Sequence, residues 1–279
     1  MQLFTTRGSV PPAAGSADED CAASLLRTIE AEIIPRLMLA HGAAPNEALP
    51  GVPVTAASGE EQAAELAEII LRRDVVAARV YVQARRRAGM TVEALFLDLL
   101  APVARRLGTM WEADECDFTQ VTVGLWRLQQ IVHEHSAVFL REGPAALAGR
   151  RTLLIAAPGS QHTLGLLMVG EFFRRGGWEV EGDPTLSLAA ACGRVAGVRF
   201  DLIGLSVGSE CHVAGVRSAI LALRQASLNP SVLVMVGGPI VGFRKDFAER
   251  VGADATSPDA ASAVALADRL VKERVPASP

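Results

Sequence analysis

Apolar residues in the first half of the chain recur at helical spacing. Leu25, Leu26, Ile29 and Ile33 show this period after residue 20. Four further segments have the same pattern, at about 60–72, 74–88, 91–112 and 118–141. No apolar–polar alternation typical of a strand occurs before residue 150. The first half therefore predicts a bundle of helices, in which Asp74 and Thr91 start helices and Gly89 ends one.

The second half alternates short apolar runs with amphipathic segments. The runs predict strands at Thr152–Ala157, Trp178–Glu181, Asp201–Ser206, Ser231–Val236 and Ala253–Thr256. Helices are predicted between and after them, at about 163–174, 186–197, 214–227, 244–251 and 259–273. This alternation is typical of a parallel sheet that is covered by helices on both faces. Ligands of such sheets lie at the carboxyl ends of the strands.

These patterns predict an α plus α/β protein. Residues 1–18, rich in Pro, Gly and Ser, form a flexible N-terminal tail, and residues 19–146 form a helical bundle that we call the cap. Residues 147–279 form a Rossmann-like, flavodoxin-like domain with a five-stranded parallel sheet. The boundary follows the Gly143-Pro144 linker.

Composition and charge narrow the functional class. Half of the 279 residues are hydrophobic and 21% are charged, which is enough apolar mass for a sizeable core. A net charge of -4 and the lack of a helix-turn-helix pattern argue against direct nucleic-acid binding. The four cysteines form no CxxC pair, and neither a signal peptide nor an apolar run long enough to span a membrane is visible. We expect a cytoplasmic protein without a membrane contact.

Candidate ligand-binding residues follow three of the predicted strands. The first strand leads into Ser160-Gln161-His162-Thr163-Leu164-Gly165, the third ends in Ser206-Val207-Gly208, and the fourth in Gly237-Gly238. All three sites belong to the carboxyl edge of the sheet. A neutral imidazole such as His162 can coordinate a transition metal there, and glycine lets a bulky ligand approach the backbone. Taken singly, His162 reads as a surface or capping residue, and Ser206 and the glycines read as ordinary turn residues.

Taken together, these residues resemble the cobalamin-binding domain of methionine synthase, corrinoid proteins and photoreceptor-type transcription factors. That family has Asp-x-His-x-x-Gly, then Ser-x-Leu, then Gly-Gly. The resemblance covers residues 151–275 and implies that His162 is the lower axial ligand of the metal. It also implies that Ser206 and the glycines line the slot for the nucleotide tail of the cofactor.

Two positions depart from the family pattern. Ser160 stands where the family has the Asp that supports the axial His, and a hydroxyl strengthens an imidazole ligand less than a carboxylate does. Gly208 stands where the family has Leu, which enlarges the slot. These departures keep heme open as an alternative cofactor.

The first half resembles the helical cap that precedes cobalamin domains. Leu107-Gly108 and Trp111 match the end of a cap helix. In the photoreceptor-type regulators a Glu-His pair follows, and its His ligates the upper face; here Val121 and Thr122 occupy those positions. Trp111 either covers the upper face of a planar ligand or is a core aromatic residue.

Over residues 60–275 the combination resembles the PpaA/AerR antirepressor family of purple photosynthetic bacteria. It also resembles the heme-holding variant of the domain in the AppA photosensor. The resemblance implies a non-enzymatic light or redox sensor that binds hydroxo- or adenosylcobalamin, or heme, and relieves repression by a PpsR/CrtJ-type repressor. It assigns no oligomeric state. The alternative is a corrinoid methyl carrier of a methyltransferase system, against which Ser160 counts.

Weaker candidates lie elsewhere. His133 and His135 are two residues apart on a helix, so they face different directions and predict a solvated surface rather than a metal site. The Arg85–Arg87 run is expected to be solvated or to contact a partner. Cys211-His212 is a secondary candidate for axial ligation. Cys116 lies in an acidic run that should raise its thiol pKa.

Overall fold

A computed structural model describes most of the chain after residue 57. The described ranges are 58–72, 74–143, 149–158, 163–183, 185–208, 213–238 and 246–274, with the side chains of 213 and 214 excepted. The predicted tail over 1–18 and the predicted helix after residue 20 lie outside these ranges. None of the helices in the described part of the chain combines the length and apolar character that a bilayer crossing requires.

The predicted helices of the cap are present. They are α1 (Gly59–Arg72), α2 (Val75–Arg87), the short α3 (Val92–Ala94), α4 (Ala101–Glu112) and the long α5 (Phe118–Arg141). The predicted helix starts are confirmed, because Asp74 accepts the N–H of Ala77 at 2.9 Å and Thr91 accepts that of Ala94 at 3.1 Å. Gly89 has φ +100° at the predicted stop.

A π-helical segment, Leu95–Leu100, joins α3 to α4. The sequence predicted one uniform helix over 91–112, so this segment is a finding of the structure. Pro102 in the first turn of α4 explains it: proline lacks an N–H, and in an α-helix its ring would clash with the carbonyl four residues earlier. The wider π turn relieves that clash, while its buried Leu and Phe side chains stay in the core.

The second half forms the predicted five-stranded parallel sheet. Its strands are β1 (Arg151–Ala156), β2 (Glu179–Gly182), β3 (Leu202–Ser206), β4 (Leu233–Gly237) and β5 (Ala255–Thr256), in the order β2-β1-β3-β4-β5. The covering helices are α6 (Thr163–Arg175), α7 (Leu188–Gly197), α8 (Val213–Ala226), α9 (Phe247–Val251) and α10 (Ala260–Arg274). The order is flavodoxin-like, and its switch point lies between β1 and β3.

Helix α6 belongs to two hydrophobic cores. Its residues Leu164, Met168 and Phe172 pack with the helices of the cap. Its opposite side places Leu166 and Phe173 against the sheet. A third core, on the other face of the sheet, contains residues of α7, α8 and α9. The cap and the sheet are therefore joined through α6.

The basic run in α2 is only in part the solvated surface that the sequence predicted, because Arg87 is exposed but Arg85 is not. Arg85 is only 3% exposed, and its guanidinium lies 4.7 Å from the ring centre of Tyr81. It also donates to the Tyr81 hydroxyl at 2.9 Å and pairs with Glu65. Burial and the hydrogen bond with Glu65 raise the pKa of Tyr81 to about 12. Arg85 is buried because this network satisfies its charge, which the letter pattern of three arginines does not reveal.

Candidate functional site

Strands β1, β3 and β4 end at the same level. Ala156 is in register with Ser206, and Ser206 is in register with Gly237. Beyond the strands the ladder continues for one more bond on each side: the N–H of Ala157 donates to Ser206 at 2.9 Å, and that of Val207 donates to Gly237 at 2.8 Å. The predicted residues after β3 and β4 thus share one edge of the sheet, which we call the rim.

The glycines of the rim differ in why glycine is present. Gly238 has φ +119°, and a Cβ there would lie 2.2 Å from the carbonyl oxygen of Val207, so the backbone itself requires glycine. At Gly165 and Gly237, by contrast, a Cβ would meet no described atom within 4 Å. Packing among the described residues does not demand glycine at these two positions. Their small size leaves surface open to a ligand on the rim.

The other predicted rim residues divide into two groups. Ser206 and Gly208 are half-buried at the end of β3. Ser160 and His162 lie outside the described residues, as do Cys211 and His212. The role of His162 as axial ligand, and that of Ser160 as the residue that supports its imidazole, therefore stay predictions. Among the described residues, no three His, Cys, Asp or Glu side chains come together as possible ligands of a metal ion.

Trp111 is not a core aromatic residue. It is 51% exposed at the end of α4, and Phe118, at the start of α5, is 60% exposed. Val121 is half-buried, and the hydroxyl of Thr122 donates to the carbonyl of Phe118 at 2.8 Å. The positions that carry the Glu-His pair in related regulators thus hold one apolar side chain and one hydroxyl bound within its own helix. The exposed indole of Trp111 is free to pack against a ligand or partner.

A hydrogen bond joins the cap directly to the start of α6. The amide nitrogen Nε2 of Gln129, in α5, donates to Oγ1 of Thr163 at 2.9 Å. Both residues are half-buried. Thr163 follows His162 in the chain, so the cap is bonded to the residue next to the predicted axial ligand.

The rest of α6 is bound to the cap by several contacts. Phe172 packs against Phe139 and Phe96, with ring centres 4.8 and 6.5 Å apart. The buried carboxylate of Glu171 accepts hydrogen bonds from Ser136 and, at 2.7 Å, from Arg174. This end of α6 therefore packs as part of the cap.

Arg175 closes the contact at the last residue of α6. Its guanidinium lies 4.5 Å from the ring centre of Phe139. It donates to Glu93 at 2.6 Å and to the carbonyl of Glu142 at 3.4 Å. Three parts of the cap thus meet at one side chain.

Sequence reasoning missed these interface residues. Glu171 carried a usable signal, because it is a lone carboxylate within the apolar stretch Leu164–Phe173. Gln129 carried none, since its neighbour Gln130 is chemically identical and only the fold distinguishes them. The polar link between cap and rim required the structure.

The weaker candidates behave as surface or structural groups. His133 is exposed, Glu134 pairs with Arg79 at 2.7 Å, and Nδ1 of His135 lies 2.9 Å from the carbonyl of Ile131. The two histidines therefore lie in different surroundings, as expected for residues two apart on a helix. Burial, followed by the charges of Asp117 and Glu115, raises the pKa of the Cys116 thiol, which confirms the predicted direction. Burial is the larger cause.

Both halves of the chain match models of known protein families. Residues 150–266 match a B12 binding domain, and residues 62–133 match a second model with the same description. The first match covers the sheet and its rim. The second covers the cap from α1 into α5, which includes Trp111 and Gln129.

Two relatives are similar in sequence. A protein of Rhodobacter capsulatus, described as an uncharacterized 20.5 kDa protein in the bchF-crtJ intergenic region, is 32% identical over 174 residues, which are 62% of this chain and 90% of that protein. Dimethylamine corrinoid protein 1 of Methanosarcina acetivorans is 29% identical over 114 residues, or 40% of this chain. The chain spans about half (53%) of that second relative.

The fold matches a solved corrinoid protein. The structure of the Methanosarcina barkeri monomethylamine corrinoid protein aligns with a TM-score of 0.64 and 19% identity, over 76% of this chain and 100% of that chain. At this identity the likeness concerns the fold alone. It agrees with the predicted order of a helical cap followed by a parallel sheet.

The described rim fits a corrinoid. It lies beside the switch point of the sheet, where ligands of this fold bind, and Gly165 and Gly237 leave space beside it. The two family models, both described as a B12 binding domain, agree with this fit. The chain belongs to the PpaA/AerR-type family of proteins that carry B12-binding domains.

Proposed function

We propose that this protein is a cobalamin-dependent light or redox sensor that acts as a transcriptional antirepressor. It binds a PpsR/CrtJ-type repressor of photosynthesis genes and acts through that contact rather than by catalysis. The observation that carries the proposal is the position of the Rhodobacter capsulatus relative beside crtJ, together with the 90% of that relative that the chain covers.

The residues of the rim have distinct roles in this proposal. His162 is the lower axial ligand and Ser160 is its hydroxyl partner, which holds the imidazole less firmly than a carboxylate would. Ser206, Gly208, Gly237 and Gly238 line the slot for the nucleotide tail. Glycine and serine suit this slot because a larger side chain would fill it.

The cap covers the opposite side of the cofactor in this proposal. Trp111 packs on the upper face through its exposed indole. When bound, cobalamin supplies either a cobalt–carbon bond that light breaks or a cobalt centre that changes redox state. The side chains of the cap and the rim contact the cofactor differently in its two states, and such a difference is what shifts a two-state equilibrium toward or away from the repressor-binding form.

Repressor binding tests the proposal. A repressor–operator complex is titrated with the protein loaded with adenosylcobalamin, in the dark and after illumination, and the fraction of bound DNA is measured by gel shift. We expect the loaded protein to remove the repressor from its operator to an extent that changes with light. His162→Ala should abolish this light dependence. An operator occupancy that does not respond to the protein in any state would overturn the antirepressor function.

Heme is the alternative cofactor, motivated by Ser160 and Gly208. It predicts a Soret band after addition of hemin that His162→Ala removes. A redox-dependent effect on the repressor without light dependence would favour heme.

A corrinoid methyl carrier is the second candidate function. Its supporting observation is the likeness to the dimethylamine and monomethylamine corrinoid proteins. A carrier is expected to exchange methyl groups with a corrinoid methyltransferase and to leave the repressor–operator complex unchanged. Ser160→Asp, which restores the carboxylate of the carrier motif, should improve methyl exchange if this function holds.

A further inference from the structure

Gln129 links two parts of the molecule that the proposed function requires to communicate. It projects from the middle of α5, the longest helix of the cap, and its side-chain amide donates to the hydroxyl of Thr163 at 2.9 Å. Thr163 is the first residue of α6 and directly follows His162. Successive Cα atoms are about 3.8 Å apart, so His162 cannot change position far without moving Thr163.

The remaining contacts of α6 determine where movement can occur. Phe172 lies in the aromatic cluster of the cap, and Arg175 is held by Glu93 and by the ring of Phe139. These contacts fix the C-terminal half of α6 to α5. The N-terminal end carries the Gln129 bond and the buried Leu164. A displacement of Thr163 would therefore change the Gln129 bond as well as the packing of Leu164.

We propose that Gln129 is a positioning residue for the axial imidazole. By holding Thr163 it sets how the loop before α6 presents His162 to the corrinoid, and through the same bond a change in axial ligation reaches α5 and the cap. The coupling is reciprocal, because a cap that strengthens ligation is in turn biased by it. This proposal rests on the placement of His162 in the proposed function, but it needs no repressor.

The chain offers a matched control. Gln130 has the same side chain, lies in the same helix and is also half-buried. Its side chain has no hydrogen bond within the described part of the chain. Gln129→Leu and Gln130→Leu therefore make the same chemical change, and only the first removes the bond to Thr163.

Two further variants separate the bond from the bulk of the side chain. Gln129→Glu keeps the length of the side chain and accepts a hydrogen bond from the Thr163 hydroxyl. Thr163→Val removes the hydroxyl from the other partner at nearly constant volume, whereas Thr163→Ser keeps it. If the hydrogen bond is what matters, Gln129→Glu and Thr163→Ser keep the cofactor binding and ligation of the wild type. The double variant Gln129→Leu/Thr163→Val then binds the cofactor no more weakly than either single variant.

The experiment uses the whole protein with hydroxocobalamin as the probe. The dissociation constant is measured by absorption titration. The protein is labelled with nitrogen-15 histidine, and the bound probe is reduced to its cobalt(II) form. Electron paramagnetic resonance then reports the fraction of cobalt that carries a histidine nitrogen (the nitrogen-ligated fraction), because nitrogen-15 splits each cobalt line in two whereas the nitrogen-14 of the cofactor's own benzimidazole splits it in three. Amide hydrogen exchange in the cofactor-free protein reports the protection of the first amides of α6 that have carbonyl partners within the helix.

We expect Gln129→Leu to weaken binding roughly fivefold, the equivalent of one neutral hydrogen bond of about 1 kcal/mol. We also expect it to lower the nitrogen-ligated fraction and the protection of the amides of residues 167–170, whereas Gln130→Leu leaves all three unchanged. Equal behaviour of the two leucine variants would overturn the proposal. So would a Gln129→Leu protein that loses stability but keeps the wild-type nitrogen-ligated fraction, because the bond would then be purely structural.

Failure of the proposed function gives a different result. A wild-type protein that binds hydroxocobalamin without a histidine nitrogen on cobalt would overturn both the axial role of His162 and the positioning role of Gln129. A wild-type protein that ligates normally but ignores the repressor would overturn the antirepressor function alone.

Discussion

The two ends of α6 are held to the cap in different ways. At the C-terminal end, Phe172 packs in a cluster of three aromatic rings, Glu171 is buried against Ser136, and Arg175 contacts three residues of the cap. At the N-terminal end, the Gln129–Thr163 bond is the polar contact with the cap among the described residues. The C-terminal end thus combines an aromatic cluster with buried charges. At the N-terminal end, Leu164 and Met168 pack in the core of the cap, and the polar contact among the described residues is one neutral hydrogen bond.

The difference suggests how a sensor of this fold combines stability with response. Removing an aromatic ring from a core costs several kcal/mol, whereas exchanging one neutral hydrogen bond costs about 1 kcal/mol, a size that a bound ligand readily offsets. The anchored end keeps the cap and the sheet together. In the proposed function the cofactor acts at the N-terminal end, where one neutral hydrogen bond is the polar contact with the cap among the described residues.

Phe172→Ala should have the largest effect on stability. It removes the ring shared by the cap core and α6, and we expect the free energy of unfolding to fall by about 3–5 kcal/mol in urea titrations. Phe118→Ala, at a side chain that is 60% exposed, is the control and should stay within about 0.5 kcal/mol of the wild type. A loss below about 1 kcal/mol for Phe172→Ala would show that this end of α6 is not an anchor.

Arg175→Leu should come next, at about 2 kcal/mol, because it removes a largely buried cation–π contact and an ion pair whose partner Glu93 is partly exposed. The exposed pair between Arg72 and Glu68 provides the control, and Arg72→Leu should change stability little. Similar losses for the two variants would remove Arg175 from the anchor.

The ion pairs of Asp254 with Arg224 and Arg274 lie outside the α5–α6 contact. Removing them should lower the free energy of unfolding without changing cofactor binding. Burial alone would raise the pKa of Asp254, but hydrogen bonds from the Val234 N–H and Arg224, and the charge of Arg274, lower it below its usual range. A carboxyl with a lowered pKa stabilises the fold above its unfolded pKa of about 4, and this contribution is lost as the pH falls through the lower folded value.

Asp254→Asn should therefore cost roughly 1–2 kcal/mol at pH 7, since Arg274 is partly exposed to solvent. The difference from the wild type should shrink as the pH falls below about 4. Chemical unfolding at several pH values measures this, and hydroxocobalamin binding at pH 7 should be unchanged. Weaker binding of hydroxocobalamin by Asp254→Asn would contradict this expectation, because it would show that the charges around Asp254 influence the rim.

Gln129→Leu should have the smallest effect on stability, about 1 kcal/mol or less, in contrast to its effect on ligation. Urea titrations of this variant and of Gln130→Leu measure the difference directly. If Gln129→Leu cost as much as Phe172→Ala, the two ends of α6 would be equally anchored.

The sequence predicted the helices and strands well because periodicity is a local property. The helices over 60–72 and 118–141 and the strand at Asp201–Ser206 agree with the structure to within a residue or so. The parallel sheet followed from the alternation of strands and helices, and the observed strand order agrees with the predicted flavodoxin-like domain. The N-terminal helical pattern lies outside the described residues.

What the sequence did not predict depends on contacts between distant residues. Arg85 is buried because Tyr81 and Glu65 meet it across two helices, and nothing in a run of three arginines indicates which one is buried. The π segment followed from Pro102, a local signal that the helical period concealed. The Gln129–Thr163 bond joins residues 34 positions apart and has no local signature.

The candidate site was predicted in part. The motif placed Ser206 and Gly237 on one edge, and the register of β3 and β4 confirms that they are neighbours. The structure adds a distinction that the motif lacks: Gly238 is required by the backbone, whereas nothing in the described part of the chain requires glycine at Gly165 and Gly237. The ligating role of His162 stays a prediction.

An absorption titration tests that role most directly. The wild-type protein and His162→Ala are mixed in the dark with hydroxocobalamin or adenosylcobalamin, and separately with hemin. The account predicts a corrin spectrum that shifts on binding to the wild type and does not shift with His162→Ala. A corrin spectrum that is the same for both proteins, or a Soret band without any uptake of cobalamin, would contradict it.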